Sequence, residues 1–289
     1  MLGRLVEGRY RIRSTLGRGA MGTVYEVADE SSGRRFALKV LRPGVAGHFG
    51  DVKARFEREA RASSLLQHPN IVAVHTFGHV EKGVPYLLME YIDGDALGDL
   101  LEQGALPALR ALHIARQILS GVGYAHALGM VHRDLKPDNV MIARDPGGAD
   151  VVKLLDFGIV KLVSDLAAAE VGTEELTQAG VVFGTPEYMA PEQILSRSLD
   201  GRLDLYAIGC LLFEMLTGRP PFCGEDRMAI LKGHISGTVS SLASAGLPEY
   251  PPELEAVVAG ALAKKPDDRF ADAAQMVAAI DAARRSLDG

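Results

Sequence analysis

The chain is 289 residues long, 47% apolar and 24% charged, proportions of a globular protein that exclude a disordered or collagen-like polymer. At about 150 residues per domain it holds two domains or one large one. Net charge is −6, which argues against a nucleic-acid partner, because binding a phosphate backbone needs an excess of basic residues. Cys210 and Cys223 are the only cysteines. They are too few for a disulfide framework and not spaced for zinc, so they read as reduced thiols of a cytoplasmic protein. No apolar run reaches membrane-spanning length; Leu205 to Leu216 is interrupted by Glu214 and reads as a buried core helix. Residues 1–10 carry Arg4, Glu7 and Arg9 and lack the apolar core of a signal peptide.

In chain order, Arg11 to Leu16, Thr23 to Ala28 and Arg35 to Leu41 are rich in alternating and β-branched residues and predict strands. A helix is expected from Asp51 to Leu66, ended by His68-Pro69, followed by strands at Val72 to Gly78 and Pro85 to Tyr91. After Asp93-Gly94-Asp95 the patterns become helical: Pro107 to Leu128, Leu203 to Leu216, Leu254 to Ala263 and Ala271 to Leu287, with one strand at Val151 to Leu155. The expected fold is α+β and two-lobed, with a small antiparallel-sheet lobe carrying one helix (1–91) and a larger, mainly helical lobe (92–289). A cleft between such lobes is a natural ligand site.

Gly17-Arg18-Gly19-Ala20-Met21-Gly22-Thr23-Val24 fits G-x-G-x-x-G-x-V. Alone it is as readily a Gly-rich turn. A dinucleotide fingerprint would open a helix, whereas Thr23-Val24-Tyr25-Glu26-Val27 is strand-like, and no Lys-Ser or Lys-Thr pair follows as in a P-loop. A hairpin whose glycines let backbone amides approach phosphate oxygens is the better fit. On the next strand, alternation puts Ala37 and Lys39 on one face: Ala37 leaves room for a base and Lys39 reaches phosphates. Glu59 falls on the stripe Phe56, Ala60, Ser63. An inward carboxylate needs an internal cation, for which Lys39 is the nearest candidate.

Downstream, His132-Arg133-Asp134-Leu135-Lys136-Pro137-Asp138-Asn139 precedes Asp156-Phe157-Gly158. Asn139 and Asp156 are hard oxygen ligands suited to Mg²⁺. Asp134 can orient a hydroxyl and accept its proton, and Lys136 can offset charge on a moving phosphoryl group.

In order and spacing these motifs resemble the catalytic domain of a protein kinase, over Arg9 to about Ala283. The resemblance implies ATP and Mg²⁺ as cofactors, Asp134 as catalytic base, Lys39 on the phosphates and paired with Glu59, and Asn139 and Asp156 on the metal. It also implies nucleotide contacts from Leu16, Gly17, Arg18, Gly19, Ala20, Met21, Gly22, Thr23, Val24, Ala37, Lys39, Met89, Glu90, Tyr91, Ile92, Met141, Leu155 and Asp156. Lys136 and Gly184-Thr185-Pro186-Glu187-Tyr188, followed by Ala190-Pro191-Glu192, are similar to serine/threonine kinases. There Thr185 would bridge Asp134 and Lys136, and Arg269 would pair with Glu192. Asp204 and Gly209 match the helix that anchors the catalytic loop. Gly8-Arg9-Tyr10, Arg55 to Ala60, Met89 to Gly94 and Leu154 to Ile159 look closest to bacterial receptor-like kinases. Two positions depart: Val160 stands where these enzymes often have Ala, and Ser63 is small and polar where many kinases place a larger apolar residue in their internal spine.

The implied function is transfer of the ATP γ-phosphoryl group to Ser or Thr of protein substrates, activated by autophosphorylation at Thr177, or at Thr173, with the phosphate paired to Arg133. Glu174 or Glu175 neutralising Arg133 is the competing expectation. A pseudokinase would lack one of Lys39, Asp134, Asn139 or Asp156, and a small-molecule phosphotransferase would lack the Gly-Thr-Pro-Glu-Tyr platform. The resemblance also leaves room for a homodimer through the N-lobe and for a membrane tether beyond Gly289.

Overall fold

The structure, a computed structural model, describes residues 1–19, 22–41, 49–80, 83–157, 185–245 and 250–288; the side chains of residues 49–55, 59 and 288 lie outside that description. The described residues form two compact units, one of Met1–Asp93 with Phe157, the other of Gly94–Asp156 with the residues from 185 onward.

The first unit is a six-stranded antiparallel sheet, in which β1 (Leu5–Val6), β2 (Tyr10–Arg18), β3 (Gly22–Asp29), β4 (Arg35–Leu41), β5 (Val74–Val80) and β6 (Val84–Glu90) lie in the order β1-β2-β3-β4-β6-β5. One face is sealed by a cluster of Ile12, Val27, Phe36, Leu38, Val40, Tyr86 and Leu88. The side-chain period of two sends Ala37 and Lys39 to the opposite face. There Lys39 pairs across the strands with Val24 and Leu87, and Ala37 with Met89. Helix α1 (Phe49–Ser64) packs against β5, with the Phe56 ring edge-on to Phe77, 6.2 Å between centroids. Phe77 lies opposite Leu87, so α1 covers the face that carries Lys39. Phe56, Ala60 and Ser63 form its buried stripe, the spacing of an amphipathic helix on a sheet.

The second unit begins with β7 (Gly94–Ala96), α2 (Leu97–Leu101), α3 (Ala108–Ala127), β8 (Val140–Arg144) and β9 (Asp150–Leu154). Strands β7, β8 and β9 make a three-stranded antiparallel sheet in that order. Helices α4 (Pro191–Ile194), α5 (Arg202–Thr217), α6 (Arg227–Ser236), α7 (Pro252–Ala261) and α8 (Ala273–Asp288) complete the unit. Helix α5 is buried from Leu203 to Leu216, as expected of a helix that is apolar all round, and it packs against both α3 and α7. At Gly209 a Cβ would sit 2.7 Å from the Ala261 Cβ of α7; only a residue without one lets the helices meet there. Among the described residues no helix is long and apolar enough to cross a membrane.

Strands β1, β7 and β8 and helices α2, α4 and α6 were not legible in the sequence. Strand β8 is five residues set between the turns at Asn139 and Asp145, too short to declare a period. Helix α6 buries only Ile230, Leu231 and His234 and starts at an Asp226 side chain accepting the Met228 N–H at 2.9 Å, so its helicity rests on the cap and on packing rather than on a strong apolar stripe.

Candidate active site

The segment from His132 to Asn139 is irregular backbone, whose N–H groups need partners outside regular structure. Asp204, near the start of α5 and fully buried, supplies two. Its Oδ2 accepts from the His132 N–H at 2.8 Å and its Oδ1 from the Arg133 N–H at 2.9 Å. His126, in the last turn of α3, brings Nε2 within 2.8 Å of Oδ2. The loop is also tied at the His132 ring: the Asp134 N–H points at Nδ1 (3.3 Å), so Nε2 carries the proton and donates to the Leu155 carbonyl at 2.7 Å. Gln193 donates to the Arg133 carbonyl at 3.0 Å. These ties hold Arg133 at φ 70° and Asp156 follows at φ 60°, the left-handed region that a side chain enters only when its surroundings enforce it.

Within this frame four of the expected residues meet. The Asn139 amide nitrogen donates to the Asp134 carbonyl at 2.7 Å and to its Oδ2 at 3.1 Å. Lys136 Nζ lies 3.7 Å from Asp134 Oδ2 and donates to Thr185 Oγ1 at 3.2 Å. The expected order is therefore corrected: Lys136 stands between Asp134 and Thr185, and no Asp134–Thr185 hydrogen bond occurs among the described residues. The long lysine stem with three donors reaches both oxygens, and the threonine hydroxyl is taken up as its acceptor. Burial pushes the Asp134 carboxyl above the ordinary carboxylate range, opposed by Lys136, His132 and the Asn139 amide.

Thr185 opens the 3₁₀ turn Pro186–Tyr188 that leads to α4. That segment is pinned twice from below. Tyr188 donates to Glu214 Oε2 at 2.6 Å. Arg269 makes two 2.7 Å bonds to Glu192, both side chains buried, and also donates to the carbonyls of Ala263, Lys264 and Arg202. A buried pair with its remaining donors satisfied is the arrangement in which ion pairing withstands desolvation.

The other expected residues belong to the first unit. Leu16, Gly17, Arg18 and Gly19 are exposed, and the Gly19 N–H closes on the Gly22 carbonyl at 2.9 Å. The glycines differ in what they are for. A Cβ at Gly22 would run into the Val40 carbonyl, whereas at Gly17 and Gly19 it would meet nothing within 4 Å. Gly22 thus serves strand packing, and Gly17 and Gly19 leave open backbone. Thr23 and Val24 continue β3, Val24 beside Lys39. Lys39 is 6% exposed, and Ala37 and Met89 are buried. The Glu90 N–H is spent on the Ala73 carbonyl at 2.9 Å. Tyr91 lies under the Arg35 guanidinium, 4.2 Å from its ring centre, and Ile92 follows. Met141 and Leu155 belong to the second unit, half-buried on and after the β8–β9 pair. Ala20, Met21, Thr173 and Thr177 lie outside the described residues, as does the Glu59 side chain, whose backbone is in α1. His126 and Gln193 were missed as loop anchors; the one available signal for His126 was its place on the final helical turn before the loop.

A family model described as protein kinase domain matches residues 10–279. A probable serine/threonine-protein kinase of Streptomyces coelicolor is 40% identical over 99% of this chain and 41% of its own length. The serine/threonine-protein kinase Pkn1 of Myxococcus xanthus is 42% identical over 96% of this chain and 38% of its own. The chain therefore spans less than half the length of these curated relatives. The crystal structure of the Mycobacterium tuberculosis PknI kinase domain superposes with a TM-score of 0.73 at 28% identity, covering 98% of this chain and 99% of that one.

Tyr188 supplies the hydrogen bond that helps keep Glu214 ionised, against a burial that pushes this carboxyl upward. Tyr188→Phe is expected to destabilise the protein by about 1–3 kcal/mol at pH 8. The loss should shrink as pH falls through the Glu214 titration, because a protonated carboxyl no longer carries the buried charge. Urea unfolding of both proteins across pH 5–8 checks this; a pH-independent difference would contradict it.

Proposed function

Since this chain belongs to the protein kinase domain family, we propose that it transfers the γ-phosphoryl group of ATP to serine or threonine hydroxyls of protein substrates in a Mg²⁺-dependent reaction. The observation that carries this is the joint placement of Asp134, Lys136 and Asn139 on a loop hung from a buried carboxylate, with Thr185 of the following platform hydrogen-bonded to Lys136.

The residues present fit both groups. Gly17 and Gly19 are exposed with open space at the Cβ position, room for phosphate oxygens to approach the backbone there. Lys39, buried beside Val24, would contact the α- and β-phosphates, and Ala37 would border the base. With the Glu90 N–H committed to Ala73, base recognition falls to the remaining backbone groups of residues 90–92. Because the Asn139 nitrogen is engaged by Asp134, its Oδ1 is the atom left to accept, and with the Asp156 carboxylate it makes a hard-oxygen set suited to Mg²⁺. Asn139 and Asp156 would hold the ion, which would supply neutralisation of phosphate charge.

Asp134 orients the acceptor hydroxyl and takes its proton as the oxygen bonds to phosphorus and the bond to the leaving diphosphate breaks. Lys136 lies between Asp134 and Thr185 and offsets charge on the group in transit. Thr185, at the start of the pinned Pro186–Tyr188 turn, presents the acceptor chain. Among the described residues the Arg133 guanidinium makes no ion pair, which supports its role as receiver of a phosphate on Thr177. The reaction belongs on the cytoplasmic side, where ATP is available.

Incubation with Mg-ATP and a generic basic protein tests this. Label on Ser or Thr should fall about 10²- to 10⁴-fold in Asp134→Asn, and absence of transfer in both proteins would overturn the assignment. Thr177→Ala should lower the rate toward the same substrate; an undiminished rate removes the proposed switch.

A further inference from the structure

Ser63 makes a contact that no helical pattern announces. Its hydroxyl donates to the Phe157 carbonyl at 2.8 Å, a buried hydrogen bond between residues 94 apart in sequence. Serine inside a helix ordinarily turns its hydroxyl back to the carbonyl one turn earlier; here it leaves its own helix to fasten another segment. Both ends are well held. Ser63 is 5% exposed on the stripe it shares with Phe56 and Ala60, and the Phe157 side chain is 4% exposed. Phe56 fixes α1 edge-on to Phe77 and His79, at 6.2 and 6.0 Å. The carbonyl that Ser63 grips comes one residue after Asp156, whose φ of 60° places it in the left-handed region.

We propose that Ser63 is a positioning residue, its hydroxyl latching the backbone after Asp156 to α1 and so presenting the Asp156 carboxylate for a divalent cation. A left-handed non-glycine residue persists only if its neighbours over-determine it. On the upstream side Asp156 is fixed through Leu155, whose N–H donates to the Asn139 carbonyl at 3.0 Å and whose carbonyl accepts from His132 at 2.7 Å. On the downstream side Ser63 supplies the constraint. A larger apolar residue at position 63 could fill space there, but it could not donate to a carbonyl. The small polar side chain thus replaces a contact of shape by one of direction, and only the hydroxyl matters to it. The cation role rests on the phosphoryl-transfer assignment; the latch itself does not.

The test uses Ser63→Ala, which removes the donor, and Ser63→Thr, which keeps it. In the protein without nucleotide, amide exchange at Leu155, Asp156 and Phe157 should accelerate about fivefold in Ser63→Ala, the factor expected for one buried neutral hydrogen bond, with β5 and the first turns of α1 unchanged. In transfer assays the Mg²⁺ concentration for half-maximal rate should rise about fivefold with the KM for the acceptor protein unaltered. Ser63→Thr should restore both. Wild-type exchange in Ser63→Ala, or a Thr variant that behaves like Ala while melting at the wild-type temperature, overturns the latch. Faster exchange with an unchanged Mg²⁺ requirement overturns the cation role. No transfer by the wild type, with the exchange effect intact, overturns the phosphoryl-transfer assignment and leaves the latch standing.

Discussion

Asp204 spends both carboxylate oxygens on the backbone of a loop it does not belong to. Removing a carboxylate from water is costly unless hydrogen bonds replace the lost hydration, and here three donors do so: the N–H groups of His132 and Arg133, and His126. The exchange binds two kinds of structure together. Helix α5 is the most thoroughly buried element of its unit, with α3 and α7 against it; the loop from His132 to Asn139 is irregular and carries the polar groups that chemistry needs. Hung from α5, the loop inherits the rigidity of the core without being apolar itself. A charged acceptor suits the task because each bond it accepts is stronger than one between neutral groups.

Other parts of the site follow the same plan. Arg133 and Asp156 both hold left-handed φ values, each worth on the order of 1–3 kcal/mol of strain, and each sits beside anchored groups: Arg133 between Asp204 and Gln193, Asp156 between the tied Leu155 and Phe157, the residue Ser63 grips. The segment from Thr185 to α4 is held by the Tyr188–Glu214 bond and the buried Arg269–Glu192 pair. In each case a polar side chain on a buried helix or in a buried pair fixes an exposed or irregular stretch. The glycines add the complementary device: Gly209 lets α5 and α7 close up, and Gly22 lets β3 meet β4.

Much of this was legible in the sequence, for identifiable reasons. Strands β2 to β4 and helices α1, α3, α5, α7 and α8 announce themselves by period and caps. The residues Asp134, Lys136 and Asn139 stand within six positions, so their proximity could be anticipated without a fold. What escaped notice depends on contacts between distant positions. His126 looks like any surface histidine until α3 brings it to Asp204, 78 residues on. Ser63 registers only as a departure from an apolar pattern until Phe157 is seen above it. The order of Lys136 and Thr185 turned on side-chain reach, which spacing does not encode. Helix α6 and strand β8 were missed because one has a weak stripe and the other is shorter than a readable period.

The dependence of the loop on a doubly accepting carboxylate can be measured directly with Asp204→Asn. The amide is nearly the same size, but it must turn an NH₂ toward one of the two backbone N–H groups, setting donor against donor. In a protein that still folds, the rate of the proposed phosphoryl transfer should fall on the order of 100-fold, the scale of a catalytic group displaced by about an ångström. Wild-type turnover in folded Asp204→Asn would contradict the claim that this carboxylate sets the geometry of the site.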